Sequence, residues 1–162
     1  MSRSAALISR RSVLQAISLV TAASTVTFSA GMAMADPNPP AAPPSEIKGA
    51  QVVTTADVKS MIDRGERVII IDARRMGKWE NGRIVNALKV NWKPNFVIQG
   101  WSFDNKPLGS DKSARIVIYG ENESDGWAGQ VVQKAVAEGF TNVMWLRGGF
   151  AEWVAARMPT TS

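Results

Sequence analysis

The apolar positions change period along the chain, and these changes divide it into elements. Val68-Ile69-Ile70-Ile71 and Ile116-Val117-Ile118-Tyr119 are unbroken runs rich in β-branched residues. Such runs suit strands covered on both faces, as parallel sheets require. Val143 to Leu146 reads as a further strand, Ala87 to Val90 as another, and Val52-Val53 as a short apolar start. Helical spacing governs Val58, Met61 and Ile62, and later Ala128, Val131, Val132, Ala135 and Val136.

Punctuation between the runs supports this division. Thr54 stands three residues before Asp57, a capping-box start, and Gly65 can close the helix that follows. Gly139 ends the second helical stripe. Trp79 and Glu80 suit a short helical turn. Gly148-Gly149 forms a turn ahead of a closing helix from Phe150 to Ala156. Residues 91–114 contain Pro94, Gly100, Pro107 and Gly109. They read as a long irregular excursion with Phe96, Trp101 and Phe103 packed onto the domain. Strands alternating with helices predict a single α/β domain, its central sheet mainly parallel and flanked by helices through right-handed crossovers.

The amino terminus obeys different rules. Residues 1–35 begin with basic side chains, continue as an uncharged run from Ser12 to Met32, and end in Ala33-Met34-Ala35, with the small residues Ala33 and Ala35 placed as a signal peptidase requires. The pattern predicts an export signal, a mature chain starting at Asp36, and a periplasmic location. Arg10 and Arg11, with Leu14, fit a twin-arginine signal. Ordinary secretion and an uncleaved membrane anchor are the alternatives. The serines and threonines in the run make it a poor span, so no membrane association is expected after cleavage. Residues 36–49 include Pro37, Pro39, Pro40, Pro43 and Pro44 and read as an extended linker. The domain is expected over residues 50–159.

Charge changes meaning once that segment is set aside. The whole chain has 19 Lys+Arg and 14 Asp+Glu, a net charge of +5. Three of the basic residues, Arg3, Arg10 and Arg11, belong to the signal, which leaves 16 against 14, or +2. No dense basic stripe remains to hold nucleic acid. The chain has no cysteine and no histidine, which excludes disulfides, Cys/His zinc sites, a cysteine nucleophile and a histidine base. No cofactor-binding motif is evident.

Three stretches together resemble the rhodanese family. Ile71-Asp72-Ala73-Arg74 is similar to its strand-end D-V-R, through Asp72 and Arg74. Trp79 to Ala87, with Glu80, Gly82 and Arg83, is similar to its E-[YF]-x-x-G-H-I-P-G-A, Arg83 standing where histidine is usual. Gly139 to Phe150, with Gly148, Gly149 and then Trp153, is similar to G-Y-x-N-V-x-x-L-x-G-G-x-x-x-W. The resemblance spans roughly residues 50 to 159. It implies a rhodanese-like fold in which a catalytic cysteine directly follows the strand at Ile116–Tyr119. In that family a thiolate carries the sulfur as a persulfide, and backbone N–H groups of the loop hold the substrate anion.

Here that position falls on Gly120. The loop reads Gly120-Glu121-Asn122-Glu123-Ser124-Asp125-Gly126, followed by Trp127, and is about two residues longer than the common version. It carries three carboxylates and no cation. Like charges ~4 Å apart repel by about 1 kcal/mol in water and several-fold more near a protein surface, so a dianionic sulfur donor is disfavoured.

Three readings of the loop follow. In the plainest, Ser124 or Asp125 caps the following helix and the glutamates are solvated. In the second, Trp127 with Trp101 or Trp92 offers aromatic anchors ringed by charge to a protein partner. In the third, Glu121-x-Glu123-x-Asp125-Gly126 echoes the start of a calcium loop, although the twelfth position is Val132 rather than glutamate. The sequence thus points to an exported, non-catalytic rhodanese-like module for a periplasmic protein partner, with no metal or cofactor. A sulfurtransferase that keeps its activity without the thiol, and a cation-binding protein, are the alternatives.

Overall fold

The computed structural model describes residues 41–75, 77–95 and 100–162. The export signal, the first prolines of the linker and Phe96 lie outside the described residues, and so does the side chain of Trp101.

Five parallel strands build the central sheet. They are β1 (Ala50–Val53), β2 (Val68–Asp72), β4 (Leu88–Lys89), β7 (Arg115–Tyr119) and β8 (Asn142–Leu146), in the spatial order β1-β8-β7-β2-β4. The two unbroken apolar runs sit side by side at its centre, with Ile70 opposite Val117 and Ile71 opposite Ile118. Neighbouring side chains in a strand point to opposite faces, which is why every position in these runs is apolar. Ile71, Ile116, Ile118, Val143 and Trp145 join one core with Val131, Val132 and Ala135 of helix α2 (Gly126–Ala137). Ile70, Val117, Tyr119, Met144 and Leu146 join the other, with Val58 of α1 (Thr55–Asp63) and Phe150 and Trp153 of α3 (Gly149–Ala155). Truncating such a core position, Ile118→Ala for example, costs about 2–5 kcal/mol.

The helix ends follow their sequence signals. The Thr54 hydroxyl accepts from the Asp57 N–H at 3.2 Å, and the Asp57 carboxylate accepts from the Thr54 N–H at 2.9 Å. At the other end Gly65 takes φ +63°, with its N–H on the Ile62 carbonyl and that of Glu66 on the Met61 carbonyl. That left-handed turn is why the stop is glycine. The short helical turn expected at Trp79 and Glu80 is a single 3-10 turn, Trp79–Asn81.

Three features depart from the sequence reading. Residues 91–114 are less irregular than expected, because β5 (Trp92–Asn95) and β6 (Gly100–Phe103) form an antiparallel hairpin. A two-stranded sheet has only edge strands, where Pro94 is tolerated. Trp92 and Phe103 pair across it with ring centroids 5.0 Å apart and close one end of the α2 core. Second, the chain returns at its end. β9 (Thr160–Thr161) pairs antiparallel with β3 (Arg83–Ile84), a contact that no local pattern announced. Third, Ile47, assigned to the linker, is only 7% exposed and belongs to the α2 core. Pro43 lies against Gly129 of α2 so closely that a Cβ on Gly129 would meet it at 2.8 Å. Among the described residues no helix is long and apolar enough to cross a membrane.

Candidate functional site

Arg74 is where the three sequence motifs meet. It follows β2 and is only 3% exposed. Its Nε donates to Asp72 Oδ1 at 3.0 Å and its Nη2 to Asp72 Oδ2 at 2.7 Å, a two-pronged pair wholly inside the protein. Nη2 also donates to the Gly82 carbonyl at 2.6 Å, and the guanidinium stacks over the Phe150 ring at 4.0 Å. Asp72 accepts a further bond from the Tyr119 hydroxyl at 2.7 Å, while the backbone N–H of Ile84 donates to that hydroxyl at 3.3 Å.

The electrostatics of this cluster follow from burial. Burial alone would lower the Arg74 pKa, but the hydrogen bond and charge of Asp72 reverse the sign and raise it. The Tyr119 hydroxyl is pushed far up, first by burial and then by the neighbouring Asp72 carboxylate, so it stays protonated, donating to Asp72 while accepting from Ile84. These residues are structural: removing one partner would leave an uncompensated buried charge.

Glu80 and Arg83 do not join the cluster. Glu80 pairs with Lys89 at 3.3 Å, and Arg83 stacks on the Trp79 ring at 4.3 Å. Trp153 is fully buried and donates through Nε1 to the Pro159 carbonyl at 2.9 Å, which steers the chain into β9. Of the two glycines before it, Gly149 takes φ +66°. A Cβ there would lie 2.6 Å from the Gly120 carbonyl and 2.8 Å from the Asn122 nitrogen. The absence of a side chain therefore lets α3 dock on the loop, where Phe150 and Ala151 donate their N–H groups to the carbonyls of Gly120 and Glu121, both at 2.8 Å.

The loop leaves the C-terminal end of β7 at Gly120 and enters α2 at Gly126. Asp125 caps the helix, as expected, by accepting the Trp127 N–H on Oδ1 at 2.9 Å. Its other oxygen turns back and accepts the Glu121 N–H at 2.6 Å. A Cβ on Gly120 would meet that oxygen at 2.5 Å, the carboxyl carbon at 2.8 Å and the Ala128 methyl at 2.8 Å. The space beside Gly120 is thus occupied by the Asp125 carboxylate. Burial pushes the Asp125 pKa up, against the pull of backbone N–H groups from Glu121, Trp127 and Ala128. Ser124 is not the cap; its N–H donates to Asn122 Oδ1 at 2.9 Å.

The loop's acidic run is not left uncompensated, contrary to what its sequence alone suggests. The loop itself holds no cation, but other elements bring cations to it. Glu121 lies 3.7 Å from Arg74 Nη1 and 3.5 Å from Lys78 Nζ, and Glu123 pairs with Arg147 at 3.1 Å. Asp125 points inward. The three carboxylates therefore do not converge, and the described residues contain no group of three or more acidic side chains able to hold a metal ion. Of the aromatic anchors, Trp92 is corrected. Trp92 is buried, donating to the Ala73 carbonyl at 2.9 Å, and cannot anchor a partner. Trp127 is half-buried, packed edge-on against Trp92 at 4.7 Å with Arg75 5.1 Å over its ring.

Comparison with known proteins agrees with this architecture. The rhodanese-like domain family matches residues 54–156, and the chain belongs to that family. Among solved structures, the Alr3790 protein from Anabaena sp. aligns with 27% identity and a TM-score of 0.54, over 68% of this chain and 81% of its own. The BH2092 protein from Bacillus halodurans aligns with 18% identity and a TM-score of 0.56, over 69% of this chain and 77% of its own. A thiosulfate sulfurtransferase from Pseudomonas aeruginosa aligns with 19% identity and a TM-score of 0.53, over 69% of this chain but 20% of its own. The last two likenesses speak to the fold alone. No curated protein matches the chain.

Proposed function

We propose that this protein is an exported, non-catalytic member of the rhodanese-like family that serves as an accessory or binding module for a periplasmic protein partner. One observation carries the reading. The residue at the end of β7, where the family resemblance places a cysteine, is Gly120, and the volume a side chain would need there is filled by Asp125. A chain without any thiol has no residue that can take up sulfur as a persulfide.

The test is a thiosulfate–cyanide assay on the mature domain. No thiocyanate above a heat-denatured control is expected. Sustained turnover at a rate proportional to protein would establish the alternative, a sulfurtransferase working without a cysteine. Export is supported by Arg10, Arg11 and the Ala33-Met34-Ala35 pattern.

A further inference from the structure

We propose that the open edge of β1, with the cleft beside its first residues, is a docking surface for an extended acidic segment of a partner protein, which joins the five-stranded sheet as a further strand. The inference rests on the reading of this chain as a protein-binding module. It puts the acidic contact where the parallel strands start, away from the Gly120 loop at the far end of β7. β1 is the outermost strand, and among the described residues it pairs only with β8. An edge strand carries a row of unpaired backbone N–H and C=O groups, which proteins guard with lysine, proline, a bulge or extreme shortness. The opposite edge obeys that rule: β4 has two residues, one of them Lys89. β1 does not. Its four residues, Ala50-Gln51-Val52-Val53, include no charge and no proline, and Val52 is 46% exposed. Such an edge can take a strand from another chain.

The cleft decides what that strand should carry. Successive side chains of β1 face opposite sides of the sheet: Val53 joins the α1 core, and Ala50 packs against the α2 core. Gln51 therefore faces the α1 side and Val52 the α2 side. α1 has only nine residues. Past its end opens a cleft of about 650 Å³, lined by Gln51, Met61, Arg64, Glu66, Arg115 and Met144. Glu66 orients both arginines: Arg64 Nε donates to one of its oxygens at 2.7 Å, and Arg115 Nη1 donates to the other. Both arginine side chains stay more than half exposed. Two arginines against one glutamate give these lining residues a formal charge of +1, with guanidinium forks that match a carboxylate. A strand beside β1 sets one face toward these arginines and the other beside Val52. The segment that fits therefore alternates acidic with apolar residues. A second copy paired through its own β1 does not fit, because Lys48 to Thr54 contains no acidic residue.

The test titrates the mature protein with three capped heptapeptides that alternate valine with glutamate, glutamine or lysine, and follows the backbone amides by NMR. The glutamate peptide should give saturable shifts confined to β1 and the neighbourhood of Arg64, Glu66 and Arg115, and should slow hydrogen exchange within β1. It should bind roughly tenfold more tightly than the glutamine peptide, the scale of one charge-assisted hydrogen bond, and the lysine peptide should be weakest. Arg64→Gln combined with Arg115→Gln should erase that preference. Val52→Lys should weaken the uncharged glutamine peptide, because it guards the edge. All three substitutions fall on exposed side chains, so the fold is kept. No saturable shift at β1, or equal affinity for the three peptides, would overturn the proposal. Concentration-dependent shifts in β1 without peptide would also overturn it, by assigning the edge to a second copy. Peptide binding elsewhere would sink this placement and leave the module reading standing, whereas thiocyanate formation in the sulfurtransferase assay would strike that reading and leave the β1 titration unchanged.

Discussion

Asp125 and Gly120 share one volume: the carboxylate oxygen of the first stands 2.5 Å from where a Cβ of the second would lie. Each residue therefore constrains the other. Gly120→Ala should destabilise the domain by about 1–3 kcal/mol, the range for overpacking a tight interior. In an Asp125→Ser background the part of that cost due to the carboxylate should vanish, while the Ala128 methyl contact remains. Urea denaturation of the two single variants and the double variant measures the coupling, and strict additivity would show that the two positions do not compete. Gly120→Cys should likewise be destabilised and should not restore sulfur transfer.

Arg74 predicts a large and specific loss. Its guanidinium is buried against Asp72, so Arg74→Ala leaves a carboxylate unpaired and should cost about 3–5 kcal/mol. Asp72→Asn should be costly in the same way, because it strands the guanidinium. Arg74→Lys should recover only part, since an ammonium cannot span Asp72 and the Gly82 carbonyl with a planar fork. Equilibrium denaturation ranks the three. A cost for Arg74→Ala within the range of surface substitutions would refute the assignment.

The pH response has opposing contributions. Hydrogen bonds and nearby cations lower the pKa of Glu66, chiefly through Arg64, and of Glu138, chiefly through Lys134. For these groups the folded pKa lies below the unfolded one. Their stabilisation is present above the ordinary glutamate value of about 4.3 and fades as pH falls. Asp125 runs the other way, because burial raises its pKa. Stability from this group falls as pH rises from the ordinary aspartate value, about 3.9, through the raised one, and is regained on acidification. Asp125→Asn removes that opposing contribution. Its Tm should therefore drop more steeply than that of wild type between neutral pH and pH values below the ordinary carboxylate range. Parallel curves would count against the raised pKa.

Export should depend on the arginine pair. In the host or a heterologous bacterium with a twin-arginine system, Arg10→Lys combined with Arg11→Lys should leave unprocessed precursor in the cytoplasm. Wild type should appear in the periplasm beginning at Asp36. Cell fractionation with amino-terminal sequencing reads both outcomes, and undiminished export of the double variant would favour ordinary secretion.

Local signals were legible wherever the residue and its partner are close in sequence. The Thr54–Asp57 box, the Gly65 stop and the alternate faces of Ile70 and Ile71 each depend on neighbours a few residues away. The hairpin at Trp92–Phe103 was missed because Pro94 and Gly100 read as breakers, and their tolerance comes from lying on edge strands. The pairing of Arg83-Ile84 with Thr160-Thr161 was invisible because two residues carry no periodicity.

The sequence by itself determined the alternation of strands and helices, the family motifs, and the absence of any thiol. Those are matters of residue type and order. Only the tertiary structure decided what the loop's charges do. Reading along the chain, Glu121, Glu123 and Asp125 form an uncompensated acidic run. In the fold, Arg74, Lys78 and Arg147 arrive from distant segments, and Asp125 turns inward to fill the space beside Gly120. Coulomb energy depends on distance through space, and the spacing of charges along a chain does not set that distance.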